Sequence, residues 1–292
     1  MINILVTGSN GQLGNELRKL KADHPDFNFI FTDIAELDIT NPGAIESFIK
    51  AENISVIINC AAYTAVDKAE SDTAAAYRIN AEAPGHLAAA AFKFNALLVH
   101  ISTDYVFSGE GFRPYAENNP CNPKSIYGKS KLNGELGVIA SGCKYIIIRT
   151  AWLYSAFGHN FIKTVRKYGR ERGHLNMIYD QIGTPTHAAD LASAILAIIP
   201  QCHDRQSDIY HFTDEGVCSW YDFALEILSQ SGINCTVSPI STEEYPSPAA
   251  RPFYSVLNKA KIKRDFNITI PHWKESLSRC LKELEQIESI DI

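Results

Sequence analysis

At 292 residues, 46% of them hydrophobic, the chain buries a sizeable core and is expected to form one large domain with a smaller lobe. A net charge of −6 and the lack of a strongly basic run exclude a nucleic-acid footprint, so Lys163–Lys167 and Lys259–Arg264 read as solvated faces. Seven scattered cysteines without a CxxC pair and nine histidines without an HExxH spacing exclude a disulfide framework and a zinc site, and point to reduced thiols in the cytoplasm.

The chain opens on an apolar run, Ile2–Thr7, that breaks into glycine without a basic lead, as a first strand does and a signal peptide does not. A helix over Gln12–Lys21 follows, then a strand over Phe27–Thr32, a helix over Pro42–Glu52, a strand over Val56–Cys60 and a long helix over Ser71–Phe94. Strands at Ala96–Ser102 and Lys144–Thr150 flank a helix at Ser125–Ala140. A helix at Asn160–Arg172, a strand at Leu175–Tyr179, a helix at His187–Ile199 and a strand at Ile209–Phe212 complete the alternation. Strands that are apolar at nearly every position are buried on both faces, which predicts an α/β fold: an open, doubly wound parallel sheet of Rossmann type with right-handed crossovers.

Beyond residue 213 the pattern loosens into a helix at Ser219–Ser231, a Pro/Ser stretch at Ser238–Pro252 and a C-terminal helix at Pro271–Ile287. These predict a smaller, mostly helical C-terminal substrate lobe. The expected division gives residues 1–155 and about 187–213 to a dinucleotide-binding domain, and about 156–186 and 214–292 to the lobe, with a cleft between. No apolar run approaches the roughly 18 residues that would span a membrane.

Gly8, Gly11 and Gly14 read GxxGxxG between the first strand and the first helix. That spacing supplies a tight turn, a close backbone approach to a pyrophosphate and close helix–strand packing, with free N–H groups at the helix start. Gly8, Asn10, Gly11, Gln12, Leu13 and Gly14 form the expected cradle of the cofactor. Asp33 closes the second strand about 20 residues beyond the last glycine, where a carboxylate meets the adenosine ribose hydroxyls. Its charge repels a 2′-phosphate, so of NADH and NADPH the former is favoured.

Tyr127 and Lys131 are spaced YxxxK within a predicted helix, which places them on one face. A neighbouring ammonium favours the phenolate, so a lowered tyrosine pKa is expected. Alone, the pair reads more readily as a surface contact. Ser102–Phe107 changes the balance, because Thr103 falls at the carboxyl edge of the fourth strand, where open α/β sheets bind ligands. Thr103, Tyr127 and Lys131 together make a ketone-reducing set: hydride from the nicotinamide, a proton from Tyr127 and a polarising hydroxyl from Thr103.

With these motifs the chain resembles the extended short-chain dehydrogenases/reductases, and within them the dTDP-4-dehydrorhamnose reductases. The matching stretches are the glycine loop, Asn59–Glu70, Ser102–Phe107, Tyr127–Lys131, Arg149–Trp152, Asn160–Phe161, Asp180–Thr186 and Ala250–Pro252. The resemblance implies reduction of the C4 keto group of dTDP-4-dehydro-L-rhamnose, with Ala61, Ala62, Tyr63 and Asn80 beside the cofactor. It implies that Tyr105 and Trp152 shape the deoxyhexose pocket, where an aromatic face suits an apolar sugar face, with Asp104 and Asn160 as further substrate contacts. Arg251 offers a bidentate charge to the diphosphate, against the alternative of a loop-anchoring surface arginine. Some relatives dimerise around magnesium held by glutamates; here only Asp190 stands on the corresponding helix, as a surface or capping carboxylate. No full set of Mg2+ ligands emerges, and a homodimer is left open. The rival readings are another nucleotide-sugar reductase or a 4-epimerase, and a non-enzymatic regulatory subunit of methionine adenosyltransferase. The thymidine base rests on the resemblance alone.

Overall fold

Alternate residues of each apolar run face opposite helical layers. Ile4, Val6, Ile58, Val99, Ile146 and Ile148 share one core with Leu13, Leu17, Leu191 and Ile195, while Leu5, Ile57, Leu98 and Ile147 share another with Ile45, Ile49, Leu87 and Val138. Both faces of the sheet are covered, so the period of two is masked in the sequence by apolar residues on each side. The protein is described here from a computed structural model covering residues 1–202 and 206–290.

The strands β1 (Ile2–Thr7), β2 (Phe27–Phe31), β3 (Val56–Asn59), β4 (Leu97–Thr103) and β5 (Lys144–Thr150) come first. The chain then makes β6 (Leu153–Tyr154), β7 (His174–Ile178), β8 (Ile182–Gly183) and β9 (Thr186–His187) before β10 (Asp208–His211), β11 (Cys218–Ser219) and β12 (Thr236–Ile240). Six of them form one sheet in the order β10-β5-β4-β3-β1-β2, every neighbour parallel. The order reverses between β1 and β3, and that switch point is where such sheets open a crevice for a ligand. The expected doubly wound α/β class is the one observed.

Helices α1 (Gln12–Leu20), α2 (Pro42–Ala51), α3 (Val66–Ala69), α4 (Thr73–Tyr77), α5 (Ala83–Lys93), α6 (Ile126–Ala140), α7 (Phe161–Arg172), α8 (Ala188–Ile198), α9 (Trp220–Gln230), α10 (Ala260–Phe266) and α11 (Trp273–Ile290) fill the connections. A third core joins Ile162 and Val165 of α7, Phe223 and Ile227 of α9 and Leu277 and Leu281 of α11 beside the sheet.

Three expectations change. The strand expected at Leu175–Tyr179 is β7, which pairs in parallel with β12 and not with the main sheet. Its partner lies partly inside the stretch read as loose, and Pro239 is tolerated there because a two-stranded ladder has edges that need no donor. The helix expected over Ser71–Phe94 is divided by a π-helical turn at Arg78–Glu82. Pro84 has no N–H to offer the Asn80 carbonyl, and α6 comes so close at Gly134 that a Cβ there would overlap that carbonyl. Finally, Ile262, Phe266 and Ile270, from the segment assigned to the lobe, pack into the core of the sheet.

Candidate active site

The crevice at the carboxyl edge of the sheet is a cavity of about 1070 Å³. Gly8, Gly11, Gln12, Leu13, Asp33, Ala61 and Ala62 line one part, and Thr103, Asp104, Tyr105, Tyr127, Lys131, Trp152 and Asn160 line another. Gly8 turns the chain at φ +62°, and a Cβ there would stand 2.6 Å from the Ala61 Cα, so only glycine lets β1 and β3 deliver their loops side by side. The N-cap of α1 is Gly11, which supplies no capping side chain and leaves the first-turn amides to a ligand. Asp33 is oriented by two backbone donors, Asn10 N at 3.1 Å and Ile34 N at 2.8 Å.

Asn10, Gly14, Tyr63, Asn80 and Arg251 stand outside this lining. Gly14 is packed against the Ser9 backbone. Asn80 is fully buried in the π-turn; its Oδ1 accepts from Tyr63 N at 2.8 Å, and its Nδ2 donates to Tyr63 O and to Ser130 Oγ, each at 3.1 Å. It thus ties the loop after β3 to α6, acting on the cavity through its neighbours.

Thr103 ends β4 and Tyr127 opens α6. Two contacts bring them together: the Ser125 hydroxyl caps α6 by accepting from Gly128 N at 3.1 Å, and Gly128 lies flat against the Tyr105 carbonyl, where a Cβ would not fit. Tyr105 and Tyr127 meet edge to face with ring centroids 5.4 Å apart. Burial pushes the Tyr127 phenol up to about 12, and the nearby Thr103 hydroxyl partly offsets this. The expected lowering by Lys131 is therefore corrected: the ammonium is turned away, donating to the Ile101 carbonyl at 2.6 Å. Lys131 is 2% exposed, and burial brings it down to about 8 although Glu135 opposes the shift.

Beneath these groups lies a network that motif reading missed. Glu135, one turn beyond Lys131 on α6, pairs through both oxygens with Arg149 of β5, at 2.9 Å from Nε and 2.7 Å from Nη2. Ser102 donates to the same carboxylate. The ion pair is fully buried, at 1% exposure for Glu135 and 2% for Arg149. The only sequence signal was the i, i+4 spacing of Lys131 and Glu135.

Trp152 forms the far wall, with φ +49°, a strained value for a bulky residue. Its ring stacks on Trp220, centroids 3.5 Å apart, and Gly183 leaves room for it. Trp220 also lines the cavity and was not foreseen. Asn160 lines the cavity but its side chain anchors the fold: Oδ1 caps α7 at Lys163 N, and Nδ2 donates to Ser155 O at 2.7 Å and Gln12 Oε1 at 3.0 Å. Arg251 pairs with Asp67 at 2.7 Å, which favours its loop-anchoring reading in the absence of substrate.

The sequence profile of the RmlD substrate binding domain family matches residues 2–286. The chain belongs to this family. Among its relatives, a dTDP-4-dehydrorhamnose reductase of Aggregatibacter actinomycetemcomitans is 39% identical over 286 residues, spanning 95% of this chain and 97% of the relative. The structure of a dTDP-4-dehydrorhamnose reductase from Clostridium acetobutylicum superposes with a TM-score of 0.93 at 46% identity, covering 97% of this chain and all of that one. The Bacillus anthracis dTDP-4-dehydrorhamnose reductase, in complex with NADP, gives the same TM-score at 39% identity over 97% of this chain and 100% of that one.

Magnesium, implied by resemblance to some members, finds no suitable donor set among the described residues. Glu16, His187 and Glu283 converge, one ligand atom of each lying within 4.8 Å of the others. The Lys19 ammonium already bridges the two carboxylates, 3.1 Å from Glu16 and 2.6 Å from Glu283. Asp190 is held by Arg279 at 2.7 Å. Magnesium prefers a shell of oxygens and water, whereas this cluster offers an imidazole and a resident cation. Residues 16, 187 and 283 are far apart in sequence, so nothing along the chain announced the cluster.

Proposed function

We propose that this protein reduces the C4 keto group of dTDP-4-dehydro-L-rhamnose to give dTDP-L-rhamnose, using NADH in preference to NADPH. The observation that carries the reading is the convergence of Thr103, Tyr127 and Lys131 in the cavity that also receives the glycine loop. The substrate is the one for which the similar reductases are named. The glycine loop, Asp33, Ala61 and Ala62 would hold the cofactor, which when bound supplies the hydride.

Tyr127 donates its proton to the oxygen that becomes the C4 hydroxyl, and Thr103 hydrogen-bonds and orients that oxygen. A phenol raised to about 12 keeps its proton until negative charge develops on the substrate. Lys131, at about 8, is still largely charged at neutral pH; anchored on the Ile101 carbonyl and lining the same cavity, it would hold the nicotinamide ribose. Trp152 and Tyr105 offer faces to the deoxysugar, and Arg251 exchanges Asp67 for the diphosphate.

The test follows the absorbance of NADH and NADPH with the dTDP-linked keto-sugar, with GDP- and UDP-linked keto-sugars as controls. The expected result is one cofactor oxidised per dTDP-sugar, fastest with NADH, because Asp33 faces the ribose hydroxyls. A cofactor that binds and is never consumed would contradict the reading and favour an epimerase. Treatment with EDTA should leave turnover within about twofold, since Lys19 and Arg279 already balance the acidic cluster. A loss of activity restored by magnesium would overturn that point.

A further inference from the structure

We infer that Asp104 is a positioning residue for this reduction: as a neutral acid it donates to Thr103 and so turns the Thr103 hydroxyl onto the keto oxygen. The inference rests on the proposed reductase activity and adds a residue to its machinery.

A threonine hydroxyl has one proton to give. Thr103 Oγ1 already accepts from Tyr105 N at 3.2 Å, and it donates to Asp104 Oδ1 at 2.9 Å. In that arrangement its proton points away from any substrate, and Thr103 can only accept from Tyr127. Protonating Asp104 reverses the bond. The carboxyl O–H then donates to Thr103, whose own proton is released towards the cavity beside the Tyr127 hydroxyl. No bond to carbon is involved, only the direction of one hydrogen bond.

The surroundings favour the neutral acid. Asp104 is 3% exposed, and its Oδ2 has no hydrogen-bond partner. An ionised carboxylate with one buried, bare oxygen is costly. The Ser255 hydroxyl lies close enough to favour the charged form without a bond of normal geometry. The titratable groups facing Asp104 are Tyr127 of α6 and Tyr105, with the Arg251–Asp67 pair beyond Tyr105 and Lys131 in the same cavity. Burial raises the carboxyl to about 6, against the pull of Ser255, Thr103 and the backbone N–H groups of Asp104 and Tyr105. A bound diphosphate adds negative charge and raises it further. A raised carboxyl keeps its proton to higher pH, so the productive orientation is present at low pH and lost as pH rises through that value.

The experiment measures kcat against pH with NADH and the dTDP-keto-sugar for the parent, Asp104→Asn and Thr103→Val, with NADH affinity as a check on folding. In the parent, kcat should fall by about tenfold per pH unit above the Asp104 titration. An asparagine amide donates to Thr103 at every pH, so Asp104→Asn should lack this limb, keep only a higher one from Lys131, and outpace the parent between the two. Thr103→Val, with no hydroxyl to turn, should be slow and also lack the lower limb. An Asp104→Asn enzyme that keeps the parent's limb, or falls about a hundredfold at every pH, would overturn the inference. If Asp104→Asn fails to bind NADH, Thr103→Val decides, because a lower limb retained there is incompatible with the proposal. A parent that oxidises no NADH at all would instead refute the reductase reading.

Discussion

Tyr127→Phe should lose roughly two to four orders of magnitude in kcat, the usual worth of a positioned general acid, with NADH affinity within about threefold of the parent. The substitution removes one hydroxyl and keeps the ring that packs edge to face on Tyr105. The cradle at Gly8, Gly11 and Asp33 is untouched. Steady-state kinetics beside fluorescence titration of NADH separates the two effects. Equal losses in turnover and in cofactor affinity would mean that the phenol serves the fold or the cofactor and not the proton.

Glu135→Gln should destabilise the protein by about 3–5 kcal/mol, the typical result of stranding one member of a buried ion pair. Arg149 would keep its charge with its bidentate partner gone and only the more distant Glu117 carboxylate to offset it, 2% exposed and over the Phe107 ring. The change also strips Lys131 of the charge that opposes its burial, so its ammonium would be lost at a lower pH than now. Urea unfolding reads the first effect as a lower midpoint with an unchanged slope, and the alkaline limb of kcat reads the second as a shift to lower pH. Replacing both partners, Glu135→Leu with Arg149→Met, should recover much of the stability, since neither charge is then left unpaired. It should not recover the Lys131 limb. A single variant as stable as the parent would show that the pair has little structural weight.

What could be read along the chain was local. The glycine loop was legible because Gly8 and Gly11 sit within one turn of the end of β1, and the YxxxK pair because four residues make one helical turn. The sheet was legible for the same reason, each strand carrying its own apolar run. Interactions between distant segments were not. Trp220 stacks on Trp152 from another element, Arg149 reaches Glu135 from β5 to α6, and Arg251 finds Asp67 from 184 residues away. The β7–β12 ladder is another case, because a strand's partner is set by how the lobe folds back and not by its own composition. The tyrosine pKa shows the physical limit most clearly. Spacing placed an ammonium one turn away, but the direction of the Lys131 side chain and the dryness of the site decided the sign.

In the proposed reaction, hydride reaches C4 of a dTDP-linked 4-keto-6-deoxyhexose while Tyr127 protonates the oxygen. Its most direct test uses NADH carrying deuterium at the transferable position, with the product sugar examined by NMR. A single deuterium is expected at C4 of the reduced sugar, from one face of the nicotinamide, with no transfer in Tyr127→Phe beyond a residual rate. Deuterium at another carbon, or an unlabelled sugar epimerised while the NADH remains intact, would contradict it.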